Sequence, residues 1–500
     1  MKKIKSLIPI LVFISILFIG CTKKDDFSVR EDLNDPNIDF SQVEIQDFIW
    51  QGLNLWYLWK EDVPNLVDTK IEDSEAYFNF LNSYSNPSDF FESLLYDREN
   101  TDVNSWIVDD YVKLENSLQG IAKSNGVKYR LAYETGSDTK LLGYVRYILP
   151  NSSASDKDIK RGDVFYAIDG EQLTINNYSD LLDRVTYTIN FADLNGGNPI
   201  PNGKSVELTQ VENFVENPVY IAKTLDVEGT KIGYIMYNGF DAGFEEDMDD
   251  AFTMLKNDGA TELVLDLRYN GGGYGYLALQ MASSITGQFP GKTLKKDVYN
   301  PTVQAFYEQN YSEDLVDKFT EKVINIKGET IRSSISNLNL NKLYVLTTSS
   351  TASSSEIVIS GLQPYIDVVT IGTTTYGKYT GSITMYDSDS FFKSGANLNP
   401  NHKWAMQPIV SKYTNSIDQD VKGGIPPTIE LIDRVSLFGE LGEVDEPLLA
   451  KAIETITGVV GKSSVSSKSQ KDLIELRNIP SINKFENDYI IIKKLPIIKR

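Results

Sequence analysis

The second half of the chain alternates short apolar runs with longer amphipathic segments, and this alternation restricts the fold more than any other feature. The apolar runs Ile232–Tyr237 and Leu263–Leu267 have the length of buried strands. Helical spacing follows each run, over about 244–257 and again from about Tyr276. Strands that alternate with helices form layered α/β folds with a largely parallel sheet. We therefore predict an α/β core, to which we assign residues 216–460.

The segment before this core begins with a helical pattern rich in aromatic residues. Apolar side chains recur at helical spacing over residues 45–56, and Trp50 and Trp59 add aromatic bulk around them. An aromatic stripe at this spacing indicates the interior of a small helical domain, which we place at residues 44–113. A carbohydrate-binding surface is the alternative that the tryptophans leave open.

Between these two parts, residues 114–215 have the pattern of a small β-rich domain. Gly143–Ile148 alternates in the manner of a strand, and Asp169-Gly170 is typical of a tight turn between strands. With Asn177–Val185 as a later helix, the segment resembles a PDZ domain of the bacterial protease type. Such domains bind the C-terminus of a peptide by strand addition beside a backbone loop. The resemblance implies that this loop consists of Leu118, Gln119, Gly120 and Ile121.

Composition excludes several classes of function. The chain carries 48 basic and 70 acidic residues, a formal net charge of −22 that repels the phosphate backbone of nucleic acids. Its one cysteine allows neither an intrachain disulfide nor a thiolate metal cluster. Its one histidine, His402, rules out any two-histidine metal site and would have to serve in any Ser-His-Asp site. The sequence therefore implies no metal, no cofactor and no nucleic-acid partner.

The N-terminus resembles a bacterial lipoprotein signal. Three lysines precede the apolar run Leu7–Ile19, which is shorter than a comfortable membrane span. A glycine stands before Cys21, so the resemblance implies removal of residues 1–20 and lipidation of Cys21. We expect residues 21–43 to form a tether that holds the protein at the cell envelope, on the outer membrane and exposed at the surface. An uncleaved anchor helix is the alternative.

A triple-glycine turn follows one of the predicted buried strands. Leu263–Leu267 leads into Gly271-Gly272-Gly273 just before a predicted helix. Glycines let backbone N–H groups approach a ligand closely, as an oxyanion hole requires. The turn lacks the lysine and serine or threonine that complete a phosphate-binding loop. A simple tight turn is the alternative.

A serine-rich segment and a lysine each follow a further predicted strand. Ser353 stands at the start of an apolar helix, where unpaired N–H groups and the helix dipole stabilise negative charge. Ser353 and Glu356 also match a capping box, which needs no catalytic role. Lys378 follows Gly377 just after the strand Val368–Gly372, and burial there favours the neutral amine that a general base needs. A solvated surface charge is the alternative for this lysine.

The order of these three motifs resembles that of the C-terminal processing, or tail-specific, serine peptidases. The resemblance covers residues 114–455 and implies Ser353 as the nucleophile and Lys378 as the general base. It implies an oxyanion hole made by the N–H groups of Gly272 and Ser354. It further implies a multidomain α/β protein with a crotonase or Clp-protease-like core, which hydrolyses protein or peptide substrates selected through their C-termini.

One departure from the family pattern leaves a role unassigned. Ser382 stands four residues after the lysine, where some members have glutamine, so the group that orients Lys378 is open. The tail, residues 461–500, begins as a Ser/Lys-rich linker and indicates no function. A non-catalytic peptide-binding surface lipoprotein is the alternative function. The complete set of serine, lysine and turn glycines favours the enzyme.

Overall fold

A computed structural model describes residues 38–393 and 397–459, together with two short strands at 474–475 and 489–490. The predicted signal peptide 1–20, the predicted lipidation site Cys21 and nearly all of the tether 21–43 lie outside the described residues. Within the described ranges, no helix is long and apolar enough to cross a membrane.

Four α-helices and one short strand, with four short 3₁₀-helices among them, open the described chain. The α-helices and the strand are α1 (Glu44–Trp56), α2 (Ser74–Leu81), α3 (Pro87–Ser93), β1 (Trp106–Val108) and α4 (Tyr111–Ser117). The side chains of Asp73 and Asn86 accept hydrogen bonds from backbone N–H groups in the first turns of α2 and α3, which fixes where both helices begin. Nearly every residue of α1 is buried. Its apolar side chains belong to the same hydrophobic core as the helices and strands after residue 216, so the segment packs directly on them.

Residues 121–215 form a β-rich unit with a separate hydrophobic core. Its elements are β2 (Ile121–Ser124), β3 (Val127–Tyr133), β4 (Leu141–Ile148), β5 (Val164–Ile168), β6 (Glu171–Gln172), α5 (Tyr178–Leu182), β7 (Thr186–Asn195), β8 (Asn198–Thr209) and β9 (Val211–Val215). The strands β3, β4, β5, β7 and β8 are successive antiparallel neighbours, and β2 pairs with β9. The predicted strand Gly143–Ile148 lies within β4. The predicted helix is shorter than expected, because β7 begins at Thr186.

The predicted alternation of strands and helices is confirmed in the next part of the chain. Its elements are β10 (Val219–Val227), β11 (Thr230–Tyr237), α6 (Glu245–Asp258), β12 (Glu262–Asp266), β13 (Gly273–Tyr274), α7 (Gly275–Thr286), β14 (Thr293–Tyr299), α8 (Pro301–Asn310), β15 (Val316–Lys318), β16 (Val323–Ile324), β17 (Thr330–Arg332), β18 (Lys342–Thr347), α9 (Ser354–Leu362) and β19 (Asp367–Gly372). The remaining elements are β20 (Thr380–Ser382), β21 (Met385–Tyr386), β22 (Ala405–Gln407), β23 (Ile409–Asn415), β24 (Ile429–Glu430), α10 (Pro447–Thr457), β25 (Ile474–Glu475) and β26 (Tyr489–Ile490).

Two six-stranded sheets organise these elements. The first has the order β10-β11-β12-β18-β19-β24, and all of its neighbours are parallel except β10 and β11. The second has the order β13-β26-β20-β23-β14-β15. Helix α9 contacts β19 of the first sheet and both β14 and β23 of the second, so it lies between the sheets. Each of its residues is buried, including the carboxylate of Glu356.

A buried ion-pair network fixes the carboxyl end of β12. The guanidinium of Arg268 donates to both carboxylate oxygens of Glu446, at 2.6 and 2.8 Å, and also contacts Asp266. All three side chains are fully buried. Glu446 also accepts the N–H of Leu449 and so caps α10. The network therefore attaches the start of α10 to the strand that precedes the glycine turn.

Candidate active site

The three sequence motifs meet at one edge of the first sheet. Because β12, β18 and β19 are parallel neighbours, their carboxyl ends lie side by side, and the segments that follow them converge. The glycine turn follows β12, Ser353 follows β18, and Lys378 follows β19. The backbone hydrogen bond from Ala352 N–H to the Asn270 carbonyl joins the first two segments at 3.1 Å.

Ser353 occupies a strained backbone position at the start of α9. Its φ of +60° and ψ of −115° lie in a region that residues other than glycine rarely adopt. A comparable sharp turn from strand to helix exposes the nucleophilic serine of other hydrolases. The Ser353 side chain is buried, and its Oγ has no hydrogen-bond partner among the described residues. The position therefore has the backbone strain and the uncommitted hydroxyl of a nucleophile.

The capping box that the sequence suggests is only half formed. Ser353 and Glu356 have the relative placement of such a box, and the Ser353 N–H donates to Glu356 Oε2 at 2.8 Å. The reciprocal contact, from the Glu356 N–H to Ser353 Oγ, has the placement of the box but does not meet the geometry of a hydrogen bond. The serine hydroxyl is thus not committed to capping the helix.

Glu356 joins the serine segment to the lysine segment. Its Oε2 accepts the N–H groups of Ser353 and Lys378, the latter at 2.9 Å. Its Oε1 accepts the Gly377 N–H at 2.7 Å and the Thr375 hydroxyl at 2.5 Å. One buried carboxylate therefore holds the backbones of both candidate catalytic residues. In the sequence Glu356 is recognisable only as part of a capping box, because its contacts with residues 375–378 arise in the folded chain.

Burial also affects the ionisation of this carboxylate. Burial raises the pKa of Glu356 to about 7, although its hydrogen-bond donors favour the ionised form and act in the opposite direction. The ionised carboxylate accepts all four donors at once, whereas the protonated acid loses part of that capacity. The four hydrogen bonds therefore favour the ionised carboxylate, but the cost of burying the charge outweighs them.

Lys378 is buried beside the start of β20. Lys378 directly follows Gly377 and is only 2% exposed. Its N–H binds Glu356, and its carbonyl accepts the hydroxyl of Tyr413 at 2.9 Å. Gly377 adopts a φ of +92°, and a Cβ there would lie 2.5 Å from the Gly424 backbone nitrogen. The backbone on both sides of the lysine is therefore fixed, and the interpretation of Lys378 as a solvated surface charge is wrong.

The glycine turn needs glycine, but one of its N–H groups is already used. Gly272 has a φ of +115° and Gly273 a φ of +128°, and a Cβ on Gly273 would lie 2.4 Å from the carbonyl oxygen of Phe240. The Gly272 N–H donates to Asn270 Oδ1 at 2.9 Å, within the turn itself. The Ser354 N–H lies in the first turn of α9, where N–H groups have no intrahelical partner. The Ser354 hydroxyl donates to the Gly273 carbonyl at 2.8 Å.

His402 is held in a different hydrogen-bond network. Its Nε2 lies 2.9 Å from Asp387 Oδ2, and its Nδ1 accepts the Trp404 N–H at 3.1 Å. The second contact places the proton of the neutral ring on Nε2, which then donates to Asp387. Burial lowers the pKa of His402. Both ring nitrogens are therefore already committed within the loop.

Gln407 contacts Ser382, the residue four positions after Lys378 where some family members have glutamine. Its Nε2 donates to the Ser382 hydroxyl at 3.1 Å, and its Oε1 accepts the Thr384 hydroxyl at 2.7 Å. Gln407 and Ser382 are fully buried. A glutamine thus stands behind Ser382, but it comes from β22 rather than from the residues that follow Lys378. No local pattern connects the two positions, so the sequence alone does not indicate Gln407.

The predicted peptide-binding loop is closed by its own hydrogen bonds. The N–H groups of Leu118, Gln119 and Gly120 donate to the carbonyls of residues 114, 116 and 117 at the end of α4. Ile121 begins β2 and pairs with Val215. These donors are therefore engaged in the helix end and do not face an open groove.

Comparison with known proteins places the chain in a family. The model of peptidase family S41 matches residues 231–431, and the model of the peptidase S41 N-terminal domain matches residues 44–110. The two segments together make up more than half of the chain. The first contains the glycine turn, Ser353 and Lys378.

Curated relatives match over part of their length. A carboxyl-terminal-processing protease of Picosynechococcus sp. is 29% identical over 227 residues, which are 45% of this chain and 44% of that protein. A tail-specific protease of Haemophilus influenzae is 30% identical over 184 residues, 36% of this chain and 23% of that protein. The chain thus spans less than half the length of these two relatives.

A crystal structure supports the same fold. A Bacteroides fragilis protein assigned as an S41 protease superposes with a TM-score of 0.61 at 24% identity. The match covers 82% of this chain and 97% of that one, which shows a shared multidomain α/β fold. On the two family models the chain belongs to peptidase family S41, and the resemblance to the C-terminal processing peptidases that its motifs predict is confirmed.

Proposed function

We propose that this protein is a serine endopeptidase in which Ser353 is the nucleophile and Lys378 the general base. The observation that supports it most directly is the shared acceptor Glu356, whose Oε2 binds the N–H groups of both residues. The strained backbone of Ser353 and its uncommitted hydroxyl fit a nucleophile. The engaged ring of His402 leaves the lysine as the better candidate base.

The chemistry is acyl transfer to water in two steps. Ser353 Oγ attacks the carbonyl carbon of a peptide bond while its proton passes to the neutral amine of Lys378. Lys378 then gives that proton to the leaving amine as the C–N bond breaks, which leaves an ester on Ser353. Water hydrolyses the ester with Lys378 again as the base, and the serine is regenerated.

The oxyanion is assigned to the N–H groups of Ser354 and Gly272. The Ser354 N–H is supported by its place at the start of α9, where the helix dipole also favours negative charge. The Gly272 N–H donates to Asn270 Oδ1, so it must exchange that oxygen for the oxygen of the substrate. Losing one such donor costs about 100- to 1000-fold in rate.

Replacement of the two catalytic candidates tests the proposal. Ser353→Ala and Lys378→Ala should each lower peptide hydrolysis by about 100- to 10,000-fold or more, with unchanged thermal unfolding. Lys378→Arg should not restore activity, because a guanidinium stays protonated. His402→Gln, the matched control, should keep most of the activity. Hydrolysis by Lys378→Ala, or an inactive but folded His402→Gln, would overturn the assignment.

We also propose that substrates are selected through their C-termini by residues 114–215. The support is the PDZ-like order of strands around β4 and β5. Because Leu118, Gln119 and Gly120 use their N–H groups within the helix end, the loop must open to bind a carboxylate. Peptides with a free C-terminus should therefore be cleaved faster than the same peptides with an amidated C-terminus. Equal rates would argue against this selection.

The cellular location of the protein is proposed from the sequence alone. We propose that Cys21 carries a lipid that holds the protein at the outer membrane, exposed at the surface, with residues 21–43 as the tether. Cys21→Ala should then move the protein from the membrane fraction to the soluble fraction or leave it unprocessed. A processed variant that still sediments with membranes would contradict the anchor.

A further inference from the structure

The C-terminal tail, residues 461–500, adds one strand to each of two sheets. In the second sheet β26 lies between β13 and β20 and is parallel to both. Tyr489 pairs with Gly273, and Ile490 pairs with Tyr274 on one side and with Ser382 on the other. In the β-rich unit β25 pairs antiparallel with β3. The same tail therefore contacts the β-rich unit and the second sheet.

The two strands that flank β26 carry the candidate site. β13 begins immediately after Gly272, and the Gly273 carbonyl accepts the hydroxyl of Ser354 at 2.8 Å. β20 begins two residues after Lys378. Neighbouring strands lie about 4.8 Å apart, so the backbone of β26 passes close to both segments. The tail thus runs between the part of the site that follows the glycine turn and the part that follows the lysine.

The place of β26 has the width of one extended peptide. β13 and β20 are separated in the sheet by this strand alone, which corresponds to roughly 9–10 Å between them. Extended peptides bind to strand edges through backbone hydrogen bonds, so one edge can bind peptides with many different side chains. The two strand edges that pair with β26 can therefore pair with any extended peptide of the same length.

We propose that the position of β26 is the substrate-binding position and that β26 occupies it as an internal competitor. The inference rests on the proposed function of Ser353 and Lys378, and it assigns the regulation of that site. β25, which precedes β26 in the chain, pairs with β3. This pairing keeps β26 near the site and so raises the local concentration of β26. If the dissociation constant of the strand is about tenfold below a local concentration of about 1 mM, the strand fills the position about nine-tenths of the time. The intact chain is then largely self-inhibited.

A proline in β26 tests the competition in the full-length protein. Ile490→Pro removes a backbone N–H and restricts φ, so the strand can no longer pair normally with its neighbours. Turnover of an added peptide substrate should rise by about tenfold when the position is vacated. Ser466→Pro places a proline earlier in the chain, before β25, and it should leave turnover unchanged. Turnover by Ile490→Pro at or below the parental rate would overturn the inference.

A binding measurement separates this inference from the proposed function. The probe is a fluorescent peptide with the sequence of residues 485–494, and both proteins carry Ser353→Ala. The peptide should bind the protein that also carries Ile490→Pro. It should bind the protein with the natural tail at least tenfold more weakly. If no variant hydrolyses peptides but this difference is observed, the proposed function fails and the competition by the tail stands. Equal binding to both proteins overturns the inference, whatever the catalytic result.

Discussion

Glu356→Gln should damage both the stability and the catalytic geometry of this protein. The carboxylate accepts four hydrogen bonds, from Ser353, Thr375, Gly377 and Lys378, and all four donors are 2.5 to 2.9 Å away. An amide of the same shape offers one acceptor oxygen and one NH₂ donor. Two of the four donors must therefore face a group that cannot accept from them.

The structure indicates how the glutamine would orient. If its NH₂ replaces Oε2, the N–H groups of Ser353 and Lys378 both lose their acceptor. If its NH₂ replaces Oε1, the Thr375 hydroxyl can rotate and accept, and only the Gly377 N–H is left unpaired. The second orientation is cheaper. An unpaired buried donor costs about 1–3 kcal/mol, and the loss of charge weakens the remaining bonds, so we expect about 3 kcal/mol less stability.

The same substitution should lower turnover more than it weakens substrate binding. Displacement of a catalytic group by about 1 Å costs about 100-fold in rate, and Glu356 holds the backbone of both candidate groups. We expect kcat for a peptide substrate to fall by about that factor while KM changes little. Glu75→Gln, an exposed position in the first turn of α2, is the matched control and should leave stability and rate unchanged. Parental stability and kcat in Glu356→Gln would refute this argument.

Glu356 should also leave a measurable dependence of stability on pH. Because burial raises its pKa to about 7, the folded chain binds a proton between pH 4.5 and 7 that the unfolded chain has released. The contribution of this residue to the free energy of unfolding therefore falls as pH rises through this window, by about 3 kcal/mol in total. Urea unfolding at several pH values should show this slope in the parent protein and not in Glu356→Gln. Identical slopes would contradict the assignment.

Two further substitutions test the glycine turn and the ion network beneath it. Gly273→Ala should lower the free energy of unfolding by more than Gly229→Ala, because only the first places its Cβ against a carbonyl oxygen, that of Phe240, while both have positive φ. Equal losses in urea unfolding would count against a tight turn. Arg268→Met should cost about 3–5 kcal/mol, because it leaves the carboxylate of Glu446 buried without its cation. A loss below about 1 kcal/mol, the value for an exposed pair, would show that the network is dispensable.

The local patterns of the sequence correctly predicted the architecture of the core and the placement of its motifs. Strand and helix periods depend on residues a few positions apart, so β11, α6 and β12 could be recognised from apolar spacing alone. The glycine turn and the helix start at Ser353 are also local features. Parallel pairing then had to bring the segments after successive strands to one edge.

Contacts between distant parts of the chain could not be read from any local pattern. The sequence marked Glu356 as a cap, and only folding brings residues 375–378 to its carboxylate. Gln407 lies behind Ser382 because β22 passes there, although the sequence suggested no glutamine near the lysine. The Gly272 N–H donates to Asn270, which no glycine pattern reveals.

The sequence by itself determined which segments become strands and helices, and it determined the order of the serine, the lysine and the glycine turn along the chain. Only the tertiary structure decided that α1 shares the core of the α/β sheets, and that Tyr489–Ile490 lies between β13 and β20. The physical reason is that periodicity reports on which face of an element is apolar. Which other surface covers that face, and which edge receives a strand, depends on packing between residues far apart in sequence.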